Sequence, residues 1–195
     1  MRAVLIVAHP DPGSFTHAIA RRVSDGLVAA GHDVIVHDLY AEGFAAAMSA
    51  DERHAYHGDV PVLDPLVAQH IADITDANTL IYVYPTWWSS MPAILKGWFE
   101  RVMVPGVGFV FDAKGKVRPG LTNVRRLVGI STYGSKRLYI KAINDNGRRT
   151  IMRAMRLSTG VRTRSRWLAL YGIDSSSEND RSQFLDRCER MARSL

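Results

Sequence analysis

Short apolar runs alternate along this chain with longer segments whose apolar residues return every three or four positions, the rhythm of strands and amphipathic helices taken in turn. Residues 2–8 predict the first strand, apolar from Ala3 onward with β-branched Val4, Ile6 and Val7, as a central parallel strand covered on both faces requires. A loop of breakers and turn formers, 9–14, leads into a helix over 15–30 that turns Ile19, Val23, Leu27 and Ala30 inward and stops at Gly31. A second strand over 33–38 precedes an Ala-rich polar connection through Asp64 that carries no clear element. The pattern then predicts a helix over 65–76, a third strand over 79–84, and a helix opening at Met91 with Ile94, Leu95, Trp98, Phe99 and Val102 at helical spacing. A fourth strand covers 127–132, helical material interrupted near 144–147 covers 137–156, and a fifth strand covers 166–170. The closing helix starts at a capping box, Ser177 to Asp180, and buries Phe184, Leu185, Cys188 and Met191. Five strands alternating with helices predict a three-layer α/β sandwich around a parallel sheet.

At 195 residues, with 47% hydrophobic and 23% charged content, the chain fits one domain over 1–195. Its single cysteine, Cys188, has no internal partner and sits on an apolar helix face, which suits a core position in a reducing cytoplasm. No run is long enough to span a membrane, and the first strand is too short for a signal-peptide core, so an unexported, cytoplasmic protein is expected. The net charge of +6 is uneven: residues 114–166 hold 15 Lys and Arg against one acid, Asp145. Arg149, Arg153 and Arg156 share a helical face that could meet nucleic acid, an anionic membrane or dinucleotide phosphates, or simply be solvated. His54 and His57 near Asp51 and Asp59 have metal-ligand spacing but no second ligand cluster, so no metal is expected.

Candidate chemistry gathers where strands end. The third strand delivers Pro85, Thr86, Trp87, Trp88 and Ser89, and the fourth delivers Ser131, Thr132, Tyr133 and Gly134, to one crevice at the carboxyl ends of the sheet. The first helix offers free N–H groups, with Ser14 and Thr16 hydroxyls beside them, to a phosphate, although such residues also serve as plain caps. Glycines at 106 and 108 suggest a loop folding back over a ligand, without the strand-to-helix context of a dinucleotide fingerprint. The sequence Gly129 to Tyr133 approaches a serine-hydrolase elbow around Ser131 but carries Tyr in the last position.

Pro85, Trp88 and the run 91–102 closely resemble the flavin-binding segment of the flavodoxin-like NAD(P)H:quinone oxidoreductases, the DT-diaphorase family. Three further segments agree in order: Ala8, His9, Pro10 with Ser14 and Phe15; Asp38, Leu39, Tyr40 with Phe44; and 131–135. The resemblance covers most of the first 140 residues and only loosely the C-terminal third. It implies a flavodoxin-like fold with five parallel strands in the order 2-1-3-4-5. It also implies FAD, with FMN possible, NAD(P)H as co-substrate, and a quinone or similar acceptor reduced by ping-pong two-electron transfer. By the same resemblance His9, Ser14, Phe15 and Thr16 hold the flavin's phosphates, and Thr16 stands where many members have Asn. Residues 85–89 and 131–134 line the ring, Arg181 meets an adenylate half, and a homodimer partner completes the open face. Tyr139 aligns with a Tyr that steadies negative charge on the flavin's pyrimidine edge. Asp145 falls where the family has a His and, unable to donate a hydrogen bond as a carboxylate, is expected to turn away as a loop acid. The competing reading is a flavodoxin-shaped nucleic-acid-binding or regulatory module that uses the basic block 114–166.

Overall fold

In β1 (Arg2–Val7) the pleat sends Val4 and Ile6 to one side of the sheet and Ala3, Leu5 and Val7 to the other, and all five are buried. The computed structural model describes residues 1–58 and 61–195. β1 pairs in parallel with β2 (Asp33–Asp38) and β3 (Thr79–Pro85); β3 pairs with β6 (Arg126–Tyr133), and β6 with β7 (Arg164–Tyr171). The order β2-β1-β3-β6-β7 is the expected one, with two strands intervening in chain order. Those strands, β4 (Phe109–Phe111) and β5 (Val117–Pro119), form an antiparallel hairpin of their own.

Each sheet face carries its own core. On one, α1 (Phe15–Ala29) and α8 (Glu178–Arg193) bring Ile19, Val23, Leu27, Phe184 and Cys188 onto Leu5, Ile81 and Val83. On the other, α3 (Pro65–Asp76) and α4 (Ala93–Val102) bring Val67, Ile74, Leu95 and Trp98 onto Ile6, Leu80 and Tyr82. The helical material after β6 divides as expected. α5 (Arg137–Ala142) ends before Asn144 and Asp145, both left-handed, and a second segment runs through α6 (Asn146–Arg149), a π-helical stretch (Thr150–Met155) and α7 (Arg156–Thr159).

Two polar clusters hold the elements beneath the sheet's carboxyl end. Arg101 of α4 is buried, donating from Nε and Nη2 to Glu52 of α2 (Ala50–Ala55), from Nη2 to Asp64 at 2.7 Å and from Nη1 to the Ala45 carbonyl at 2.7 Å. Gly97, one turn earlier, lets α4 approach this loop: a Cβ there would fall 2.0 Å from the Ala46 carbonyl oxygen.

The second cluster joins His37, Glu42 and His70, whose ligand-type atoms lie within 4.8 Å of one another. Their imidazoles stack at 3.7 Å and nearly parallel, so the two rings cannot both aim lone pairs at one ion. His37 reaches Glu42 at 2.9 Å and Asp73 at 3.1 Å, while the Trp98 indole donates to His70 Nδ1 at 2.8 Å. His70 Nε2 and Glu42 Oε2 lie 3.0 Å apart but off the line a hydrogen bond needs. Burial raises the Glu42 carboxyl, and the hydrogen bond from His37 with the close approach of His70 outweighs it and brings it to about 2.

A folded-state value below the unfolded one, about 4.3 for Glu, stabilises fully above that pH and is lost as pH falls toward about 2. In urea titrations the wild type is therefore expected to lose stability more steeply than Glu42→Gln between about pH 4.5 and 2.5. Parallel loss in both proteins would show that another group sets the acid limb.

His54 lies in α2 and His57 just after it, against the Tyr56 ring; Asp59, the fourth member of that group, lies outside the described residues. The 106–108 glycines do not cover the crevice. They turn the chain into the β4–β5 hairpin, which packs near Leu157, Gly160 and Arg125, at the opposite end of the sheet. No described helix is long and apolar enough to cross a membrane.

Candidate active site

Backbone pairing of β3 with β6 continues to Pro85 opposite Thr132, and the Thr86 N–H donates to the Thr132 carbonyl at 2.8 Å. The Thr86 and Ser131 hydroxyls are hydrogen-bonded at 2.9 Å, which ties the two loops at their roots. Ser131 is fully buried and bonded to a threonine, not a histidine, so the hydrolase reading fails.

Beyond this tie the chain makes a tight turn. Trp87 and Ser90 exchange backbone hydrogen bonds of 2.9 and 3.0 Å, and the central residues Trp88 and Ser89 have φ of 47° and 63°. Two left-handed central residues define a type I′ turn, a conformation that favours Gly or Asn and strains a bulky side chain. The turn holds the Trp88 indole in solvent, 100% exposed. Its neighbour Trp87 is half-exposed and packs at 5.6 Å against His9, two residues past the end of β1. Below the turn the Tyr84 hydroxyl is buried without a partner among the described residues, and Gly147 of α6 packs so close that a Cβ would lie 2.9 Å from it and 3.2 Å from the Met91 nitrogen.

The loop 9–14 is built to free the start of α1. Asp11 accepts from the Gly13 N–H at 2.8 Å, and Ser14 caps the helix by accepting from the His17 N–H at 3.3 Å. His17 is in turn fixed by Asp38 at 2.8 Å, within the segment 38–44 that the sequence comparison singled out. Phe15 is partly buried against Phe184. Thr16 is buried, so its hydroxyl does not stand at the rim.

His9, Trp87, Trp88, Ser89 and Gly134 thus meet at the carboxyl ends of β1, β3 and β6, with Thr132 and Tyr133 buried at the root and contributing through their backbone. Tyr139 is 57% exposed on α5, a free phenol rather than a packed ring. Arg181 stands apart, donating to Ser176 Oγ at 2.9 Å and to the Ser176 carbonyl at 3.1 Å.

Asp145 corrects the sequence expectation. It does not turn away: its Oδ1 accepts from the Tyr133 hydroxyl at 3.0 Å, and burial together with that carboxylate pushes the Tyr133 phenol well up. The Tyr133 ring stacks at 4.7 Å on Tyr171. The partners lie twelve residues apart across a strand end and a helix, so no local pattern in the sequence announced the contact.

The model of the family of flavodoxin-like fold matches residues 1–190. The chain belongs to this flavodoxin-like family. It is 31% identical over 161 residues to the guinea-pig (Cavia porcellus) protein named NAD(P)H dehydrogenase [quinone] 1, a match covering 74% of this chain and 58% of that one. It is 30% identical over 164 residues to human (Homo sapiens) ribosyldihydronicotinamide dehydrogenase [quinone], covering 75% and 70%. The chain thus spans little more than half the length of the first of these relatives. Among solved structures, the NAD(P)H:quinone oxidoreductase of Methanothermobacter marburgensis superposes with a TM-score of 0.82 at 26% identity, over 100% of this chain and 96% of that one. In a flavodoxin-like sheet of this order the strand sequence reverses between β1 and β3, and ligands bind outside that reversal. Here the reversal is flanked by His9 and the Trp87–Trp88 pair.

Proposed function

We propose that this protein is a flavin-dependent NAD(P)H:quinone oxidoreductase whose flavin lies over the crevice between the 9–14 loop and the 85–90 and 131–135 loops. The observation that carries the reading is Trp88: a fully exposed indole on a strained turn, presented at the switch point of the sheet. The residues fit the group, since the free amides at the start of α1 suit a phosphate, the indole suits an aromatic ring, and the exposed Gly134 leaves its backbone accessible. A bound flavin supplies two-electron carriage between nicotinamide and acceptor. His9, Ser14, Phe15 and Thr16 would hold its phosphates, and Pro85 to Ser89 with Ser131 to Gly134 would hold and orient its ring. FAD is the proposed form, with the guanidinium N–H groups that Arg181 does not use on Ser176 facing its adenylate, and a second copy of the chain completing the open face. A buried lone thiol suits operation in the cytoplasm. The names of the guinea-pig and archaeal relatives support NAD(P)H as donor and a quinone as acceptor, and the human relative's name supports the quinone acceptor.

Donor and acceptor that use one face in turn give parallel double-reciprocal lines when NAD(P)H and a quinone are varied together, and intersecting lines would overturn the shared face. Mass analysis of the extracted flavin separates FAD from FMN. Tyr139 is proposed to donate to the pyrimidine edge of the ring. Tyr139→Phe removes only the hydroxyl and is expected to slow flavin reduction up to about tenfold in stopped-flow bleaching, the worth of one hydrogen bond. An unchanged rate would free Tyr139 of this role.

The basic block supports the enzyme over the nucleic-acid reading because it does not form one surface. Strand β6 carries the chain across the sheet, leaving Arg118, Arg125, Arg156 and Arg162 at one end and Arg137, Lys141, Arg148, Arg149 and Arg153 at the other. Arg156 leaves the face of Arg149 and Arg153 because the intervening turns are π-helical and wind more residues per turn.

A further inference from the structure

A cleft of about 370 Å³ opens between α5 and the α6 segment, beside the crevice. Five cations line it, Arg137, Lys141, Arg148, Arg149 and Arg153, with Asp145 as the one acid among its lining residues. Several arginines elsewhere are ion-paired: Arg2 meets Asp33, Arg22 meets Glu189, Arg101 meets Glu52, Arg118 meets Asp112 and Arg193 meets Glu189. Among the described residues none of the five cleft cations is ion-paired. The single carboxylate has one oxygen taken by the Tyr133 hydroxyl. Five unpaired like charges around a concavity repel one another, and a bound polyanion relieves that repulsion.

The floor of the cleft is Tyr171, stacked on Tyr133 at the end of β6, so the cleft and the crevice share a wall. Whatever anion binds there lies next to a molecule in the crevice. On the proposed function, on which this inference rests, the quinone brings no charge and the reduced dinucleotide brings several. We propose that the cleft binds the phosphate-bearing adenosine half of NADPH and selects NADPH over NADH through the 2′-phosphate. The volume holds a phosphorylated nucleoside portion rather than a whole dinucleotide, and arginine forks match a dianionic phosphate in geometry as well as charge.

The test titrates the flavin-loaded protein calorimetrically with adenosine 2′,5′-bisphosphate and with adenosine 5′-monophosphate. The bisphosphate is expected to bind at least about tenfold more tightly at low salt, with the advantage shrinking as salt rises. Arg149→Gln with Arg153→Gln changes two exposed, unpaired residues, and this double variant should unfold at the wild-type temperature. It should also erase the bisphosphate preference and lower the NADPH-to-NADH ratio of kcat/KM about tenfold through KM. Arg156→Gln, in the opposite cleft, should change neither. Equal affinity for the two nucleotides, or a preference that survives the double variant, overturns the proposal. So does a double variant that loses duplex DNA binding with no nucleotide preference to lose. Bisphosphate selectivity in a protein without quinone reductase activity would sink the function and keep the cleft, whereas reductase activity indifferent to the 2′-phosphate would do the reverse.

Discussion

Arg101→Ala is expected to destabilise the fold by about 3–5 kcal/mol, the cost of breaking a buried ion pair by removing one partner. The residue is 5% exposed, and loss of its side chain strips Glu52 and Asp64 of their cation and the Ala45 carbonyl of its donor. Burial lowers the arginine's own pKa, but Glu52 and Asp64 more than restore it, so the charge persists in place. Lys96 and Glu100, on the exposed face of the same helix, form the contrast: an i,i+4 surface pair contributes about 0.3–0.5 kcal/mol. Arg101→Lys should recover only part of the loss, because a point charge cannot span Glu52, Asp64 and a carbonyl as the fork does. Urea unfolding of the two variants measures both; an alanine cost below about 1 kcal/mol would place Arg101 with the surface pairs.

Trp88→Gly should move stability and affinity in opposite directions. Glycine relieves a left-handed position, and the fully exposed ring gives up no packing, so stability is expected to rise by about 0.5–1 kcal/mol. The same change removes the aromatic surface offered to the flavin, which should weaken flavin binding about 10- to 100-fold, the scale of one aromatic stacking contact. Trp88→Ala separates the effects, since it loses the ring and keeps most of the strain. Fluorescence titration of the flavin-free protein gives the affinity and thermal unfolding the stability. An unchanged affinity would leave the strained turn without the purpose assigned to it.

The central strands were legible because burial on both faces makes them apolar after their first residue, as in β1 and β3. At the edge the pattern weakened. β7 begins at Arg164, three residues before its apolar run at Trp167, because only part of that strand is covered. The β4–β5 hairpin escaped notice since its three-residue strands expose Val110, Phe111 and Val117 and alternate too briefly to show a period. The lip loops could be placed from strand ends alone. What remained hidden depends on contacts distant in sequence: Asp145 with Tyr133, the stacked His37 and His70, and the division of one basic block between two ends of a sheet. The π-helical stretch 150–155 has an ordinary helical sequence, and only its winding separates Arg156 from Arg149.

The proposed function requires one molecule of flavin at the Trp88 lip, a carrier used in turn by donor and acceptor. Anaerobic mixing of the flavin-loaded protein with NADPH, followed by gel filtration and addition of quinone, tests this directly. Stoichiometric bleaching of the flavin absorbance by NADPH and its full recovery with quinone after the nucleotide has been removed is the predicted result. Bleaching that fails, or recovery that requires NADPH to be present with the quinone, would contradict it.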